Sequence, residues 1–246
     1  MPLQCDFDDG AAYRAALGLI ILRTDETLED EGQSLLHGPG VVCRYARIPS
    51  HALVTPEKLA AMEQDMPVAA DLLPQNANIR AIGYACTSAS TVIGPARVEE
   101  IVQKSHPGVP VTNPITAVMT ALRALGIKRI GLLTPYMPDV TLHMQEMLTA
   151  EGFEIARMEA FGQIEDRKIA RITEASTLEA IKQVGDDDAV QAVFASCTSL
   201  RTFGILQAAE AAIGKPVVSS NQALCWHMRK LAGLSAGSGP GRLFQL

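Results

Sequence analysis

Two cysteines in this chain stand in the same short phrase. Cys86-Thr87-Ser88 and Cys197-Thr198-Ser199 each follow an apolar run, over 79–85 and 189–196. Each run reads as a buried strand, and each is followed by a stretch that reads as a helix. Such a turn presents one thiol beside hydroxyls and free backbone N–H groups. The thiolate is the reactive form of cysteine, and a helix N-terminus lowers the thiol pKa. The N–H groups, with the hydroxyls of Thr87, Ser88, Thr198 and Ser199, suit a carboxylate. They also suit the two oxygens of an enediolate, formed when a carbon next to a carboxylate loses a proton or CO₂. A lone cysteine at a strand end is more often buried structure. Two in equivalent places make Cys86 and Cys197 the candidate catalytic pair. Helix capping by the four hydroxyls is compatible with that role.

The elements that must position these turns alternate between strand and helix. Strands are expected over 17–23, 41–48, 79–85, 109–112, 128–134, 153–159, 189–196 and 216–219. Thr55-Pro56-Glu57 and Asn113-Pro114 carry the cap-then-proline signature of helix starts. From the first, Leu59, Met62, Met66 and Ala70 recur at helical spacing. Further helices are expected over 95–104, 115–125, 139–151, 173–184, 201–213 and 221–231. The pattern repeats. Leu17-Gly18-Leu19-Ile20 resembles Ile130-Gly131-Leu132-Leu133, the two Cys-Thr-Ser turns correspond, and Pro110 corresponds to Pro216. Three landmarks in the same order imply two similar α/β halves, residues 1–126 and 127–232, with 233–246 as a loose Gly- and Ser-rich tail. Each half is a flavodoxin-like, Rossmann-like unit of about four parallel strands with helices on both faces. Ligands in such sheets bind beyond the carboxyl ends of the strands, where both turns lie. Halves packed face to face bring the turns together across a cleft.

Composition narrows the function. Of 246 residues 48% are hydrophobic and 20% charged, enough for a sizeable core and against disorder. A net charge of −6 argues against nucleic acid or an anionic membrane as main partner. No run approaches the length of a membrane span, and the first residues lack a secretory signal. Five widely spaced cysteines, an odd number, argue against a disulfide framework and fit a cytoplasmic protein. Cys5, Cys43 and Cys225 lack the strand-turn setting and are taken as structural. No CxxC pair or HExxH is present, and the five histidines match no ligand spacing, so no metal is expected. No phosphate-binding loop occurs, and the glycines at 237–241 follow no strand, so no nucleotide cofactor is expected.

Three segments carry a resemblance. Tyr84-Ala85-Cys86-Thr87-Ser88, Leu133-Thr134-Pro135-Tyr136 and Ala195-Ser196-Cys197-Thr198-Ser199-Leu200-Arg201-Thr202 resemble the signatures of the maleate isomerase and arylmalonate decarboxylase group, within the aspartate/glutamate racemase superfamily. The N-terminal segment from Leu19 to Glu29 looks most like the ectoine-utilisation protein A branch. The resemblance implies that Cys197 is the main nucleophile or acid/base and Cys86 its opposite partner, where the decarboxylases have glycine. It implies that Tyr136 donates its hydroxyl to the substrate carboxylate. It places Thr24 and Asp25 at the substrate, where maleate isomerases carry Ser-Asn. Asp25 would repel a carboxylate and suit an ammonium or amide group; equally, it caps a turn.

The expected protein is a cofactor-independent, two-cysteine isomerase or racemase. It acts at the carbon alpha to a carboxylate of a small acid, amino- or N-acylamino-substituted, and the branch resemblance places it in ectoine catabolism. A homo-oligomer, dimer or tetramer, is compatible with this. Two alternatives stand beside it: a decarboxylase using one cysteine as proton donor, and a non-catalytic binder of a carboxylate metabolite.

Overall fold

A computed structural model describes residues 2–75 and 78–246. The first sheet is built from β1 (Ala15–Leu22), β2 (Val41–Ile48), β3 (Ile79–Ala85) and β4 (Val111–Thr112). Its helices are α1 (Leu28–Leu36), α2 (Pro56–Ala61), α3 (Met66–Asp71), α4 (Thr87–Ile93), α5 (Pro95–Ser105) and α6 (Pro114–Ala124). The second sheet holds β5 (Arg129–Tyr136), β6 (Glu154–Gln163), β7 (Ala192–Ala195) and β8 (Val217–Ser219). With it come α7 (Pro138–Ala150), α8 (Asp166–Ile169), α9 (Glu174–Gly185), α10 (Leu206–Ile213) and α11 (Ser220–Leu231). The strand orders are β2-β1-β3-β4 and β6-β5-β7-β8, and every pairing is parallel. The same order in both sheets is the structural form of the sequence repeat. Every residue of β1 and β7 is buried, as expected of a parallel strand covered on both faces.

The matched glycines at 18 and 131 serve close packing. A Cβ at Gly131 would stand 2.3 Å from Val184 Cγ1, and one at Gly18 would stand 2.9 Å from Leu73 Cδ1. The largest apolar cluster joins both halves: Ile20 and Tyr84 from one sheet share it with Tyr136, Phe194 and Trp226. Helix α11, although it follows β8, packs on α6, α1 and β3 of the first half. A division of the packing at residue 126 therefore leaves out this exchange.

Several expected elements change at identifiable residues. Thr55 and Asn113 do cap, their side chains accepting from Lys58 N at 3.4 Å and Thr116 N at 3.0 Å. The helix after Thr55, however, breaks into α2, a 3₁₀ turn over Met62–Gln64 and α3. Pro67, lacking an N–H, stands in the first turn of α3. Helix α1 was not expected; Thr27 gives it no side-chain cap, and the Asp25 carboxylate takes that role. Helix α10 starts at Leu206 rather than 201. The strand expected over 153–159 is β6, which begins at Glu154 and extends to Gln163.

The tail is also corrected: it docks instead of hanging loose. Gln222 Nε2 donates to Pro240 O at 2.7 Å, and the Arg242 amide donates to the Glu210 carboxylate at 3.0 Å. The 3₁₀ turn Arg242–Gln245 then buries Leu243 to 1% exposure. Gly and Ser set the composition of this segment, but one leucine anchors it. Leu243→Ala should cost about 2–4 kcal/mol of unfolding free energy. Chemical denaturation checks this; a loss under 0.5 kcal/mol, the range of an exposed side chain, would mean that the segment is not docked.

Candidate active site

The carboxyl ends of β1, β3, β5 and β7 converge on one cavity between the halves. Cys86, Thr87 and Ser88 line it from one side, and Cys197, Thr198 and Ser199 from the other, with Tyr136 and Asp166. The first half supplies a roof, from Ser50 to Met62, that includes His51, Leu53, Val54, Lys58 and Leu59. The roof is stitched to the second half: Val54 N donates to Ile164 O at 2.8 Å and Asp166 N to Ala52 O at 3.0 Å. The cavity volume is about 20 Å³, room for little more than a water molecule. A substrate enters only if the roof moves.

The two Cys-Thr-Ser turns are not built alike. Cys86 is the N-cap of α4, and its Sγ accepts from Ala89 N at 3.4 Å, with Ser88 Oγ 3.7 Å away. Cys197 opens no helix, contrary to the sequence expectation; residues 198–205 run in turns. Its φ is +109°, a conformation L-residues rarely hold. Ser199 N donates to its Sγ at 3.3 Å, and the Cys197 amide donates to Ser220 Oγ at 3.0 Å. Ser220 Oγ also accepts from Thr87 Oγ1 at 2.9 Å. One hydroxyl at the start of α11 thus touches both turns. It was invisible in the sequence, where Ser219-Ser220 reads as an ordinary helix start.

Burial sets the resting state of the thiols. Cys86 and Cys197 are 3% and 5% exposed. Burial pushes Cys86 up to about 11, partly offset by the Ala89 amide and Ser88. Burial and the nearby Asp166 carboxyl push Cys197 up to about 12, while Tyr136 and the Ser199 amide pull the other way. Both are therefore thiols at neutral pH in this closed state, and desolvation outweighs the helix terminus at Cys86. Tyr136 is buried beside Cys197 and Ser88, and burial keeps its hydroxyl protonated and able to donate.

Thr24 and Asp25 are placed differently from the expectation, behind the cavity wall. Thr24 Oγ1 donates to Asp166 Oδ2 and bonds Ser50 Oγ at 2.9 Å. Asp25 Oδ1 accepts from Thr27 N at 2.9 Å and Leu28 N at 2.8 Å, so it caps the start of α1. Its Oδ2 has no hydrogen-bond partner among the described residues. The carboxyl that does face the cavity is Asp166, 5% exposed, with Ser199 Oγ 3.5 Å from its Oδ1. Sequence reading missed it because Ile164-Glu165-Asp166-Arg167 resembles a charged surface turn. Burial raises the pKa of both Asp25 and Asp166. Among the described residues neither carboxylate forms an ion pair. Nor does any group of three His, Cys, Asp or Glu residues among them suit a metal ion. No helix among the described residues is long and apolar enough to cross a membrane.

The chain has relatives among known proteins. The arylmalonate decarboxylase family model matches residues 51–244. The chain belongs to that family. It is 30% identical over 244 residues to the maleate isomerase of Nocardia farcinica, covering 93% of this chain and 95% of that one. The maleate isomerase Iso from Pseudomonas putida S16 superposes with a TM-score of 0.84 at 25% identity, covering 94% and 98% of the two chains. A mutant Nocardia farcinica maleate cis-trans isomerase with a covalently bound succinylcysteine intermediate superposes with a TM-score of 0.80 at 28% identity, over 94% and 98%. This membership makes the chain an enzyme and sets aside the non-catalytic binder.

The pKa directions predict the labelling behaviour of the two cavity thiols. Between pH 7 and 9 the alkylation rates of Cys86 and Cys197 should rise about tenfold per pH unit without levelling, since only the thiolate reacts. Peptide mapping after timed iodoacetamide exposure checks this. A plateau near pH 7 at either cysteine would show a lowered pKa and contradict the burial argument.

Proposed function

We propose that this enzyme is a cofactor-independent isomerase or racemase acting at the carbon alpha to a carboxylate. The observation that carries the reading is the presence of two thiols, from opposite halves, in one cavity. A decarboxylase needs one proton donor, whereas proton exchange between two faces of a carbon calls for two groups. In racemisation one thiolate removes the alpha proton, leaving an enediolate, and the opposite thiol returns a proton to the other face. In cis–trans isomerisation the Cys197 thiolate adds to the double bond, rotation follows about the resulting single bond, and the thiolate leaves. The Tyr136 hydroxyl and the turn N–H groups hold the carboxylate oxygens through either course.

The substrate reading is a small amino or N-acylamino acid. Asp166 supports it in the place first given to Asp25. A buried carboxyl without a counterion favours either a proton or a ligand N–H group. An ammonium group there would also cancel the Asp166 charge that disfavours ionisation of Cys197, so substrate binding would help form the thiolate it needs. The resemblance of residues 19–29 to the ectoine-utilisation branch supports a place in ectoine breakdown.

Family membership itself favours a second reading, decarboxylation with Cys197 as sole proton donor. Cys197→Ala should reduce turnover at least about a thousandfold under either reading. Cys86→Gly separates them: an isomerase or racemase is disabled, and a decarboxylase keeps its rate. Full turnover by the Cys197→Ala variant would overturn both.

A further inference from the structure

We infer that Glu31, on α1 of the first half, is the positioning residue that sets the geometry of Cys197 in the second. The two cysteine turns face one structural problem with different solutions. Cys86 is held by its own helix: Ser90 N and Ser90 Oγ both donate to Cys86 O, at 3.0 and 2.6 Å, and Ala89 N reaches the sulfur. Cys197 has no such helix, so the N–H groups that follow it need an acceptor from elsewhere. Glu31 is that acceptor. Its Oε1 takes the Thr202 amide and, at 2.8 Å, the Phe203 amide. Its Oε2 takes Asn221 Nδ2 at 2.7 Å. The second hydrogen of the same Asn221 amide goes to Thr198 O at 2.9 Å, one residue beyond the cysteine.

The carboxylate thereby grips both ends of the 198–203 turn, directly at 202 and 203 and through Asn221 at 198. Thr27, the residue before α1, adds a third hold by donating to Ser199 O at 3.0 Å. A backbone at φ +109° persists only where its surroundings over-determine it. Here Ser220 and Asn221 of its own half supply part of those surroundings, and Glu31 and Thr27 of the other half supply the rest. A glutamine at position 31 would offer one acceptor and turn its own N–H group toward a donor. The Asn221 amide or the two backbone amides would then lose their partner.

The test is cysteine-resolved iodoacetamide labelling at pH 8 of the full chain and its Glu31→Gln variant. Freed from its hold, Cys197 should label at least about tenfold faster, the scale of a lost charged hydrogen bond. Cys86 and Cys43, whose thiols do not feel the Glu31 charge, should stay within twofold of their native rates. Glu31→Asp, which keeps both acceptors on a shorter arm, should move Cys197 in the same direction by less, and it serves if the glutamine variant does not fold. With a substrate in hand, kcat should fall about tenfold with KM within twofold. An unchanged Cys197 rate would overturn the inference. So would a common rise at all three cysteines, which would show general loosening. Only the kinetic arm rests on Cys197 being the working thiol. Labelling needs no turnover, so the positioning claim and the functional reading fail separately.

Discussion

The Ser220 hydroxyl accepts one hydrogen bond from the Cys197 amide and another from the Thr87 side chain. That double acceptance is the tightest link between the two cysteine turns, and much of the architecture serves it. The parallel sheets put both turns at strand carboxyl ends. The exchange of α11 onto the first half carries Ser220 to the junction. The apolar cluster shared by both sheets keeps the halves from shifting relative to one another.

The price of this enclosure is electrostatic. Two thiols, Tyr136, Asp25 and Asp166 lie in one water-poor region, and each is biased toward its neutral form by burial. No cation among the described residues offsets the two carboxyls. In the closed cavity burial thus favours the thiol form of both cysteines. A thiolate there gains stability from opposite charge brought in by substrate, or from N–H groups already aimed at the sulfur, such as those of Ala89 and Ser199.

Much of the scaffold was legible in the sequence because it rests on local rules. The doubled Leu-Gly and Cys-Thr-Ser landmarks announced matched halves, and Thr55 and Asn113 cap where their proline neighbours implied. What stayed hidden depends on partners distant in sequence. Asp166 became a cavity residue only through the roof segment, whose Leu53 forms an isolated bridge with Glu165 beside it, and Asp25 retreated because its carboxylate is taken up by the start of α1. The turn before α10 is held by Glu31, 171 positions before Thr202, which accepts the Thr202 amide. Leu243 anchors a tail whose glycines suggested none. Periodicity carries no record of such long-range claims on a hydrogen-bonding group.

The central claim is that Cys86 and Cys197 serve one site that takes one small carboxylate when its roof opens. Carboxymethylation by iodoacetate in a Cys5→Ser background tests it most directly, read by intact mass and peptide mapping. The account predicts that a chain modified at one of the two cysteines is not modified at the other, because the first carboxymethyl group fills the cavity and repels a second anion. Chains carrying both modifications, formed at independent rates, would contradict it.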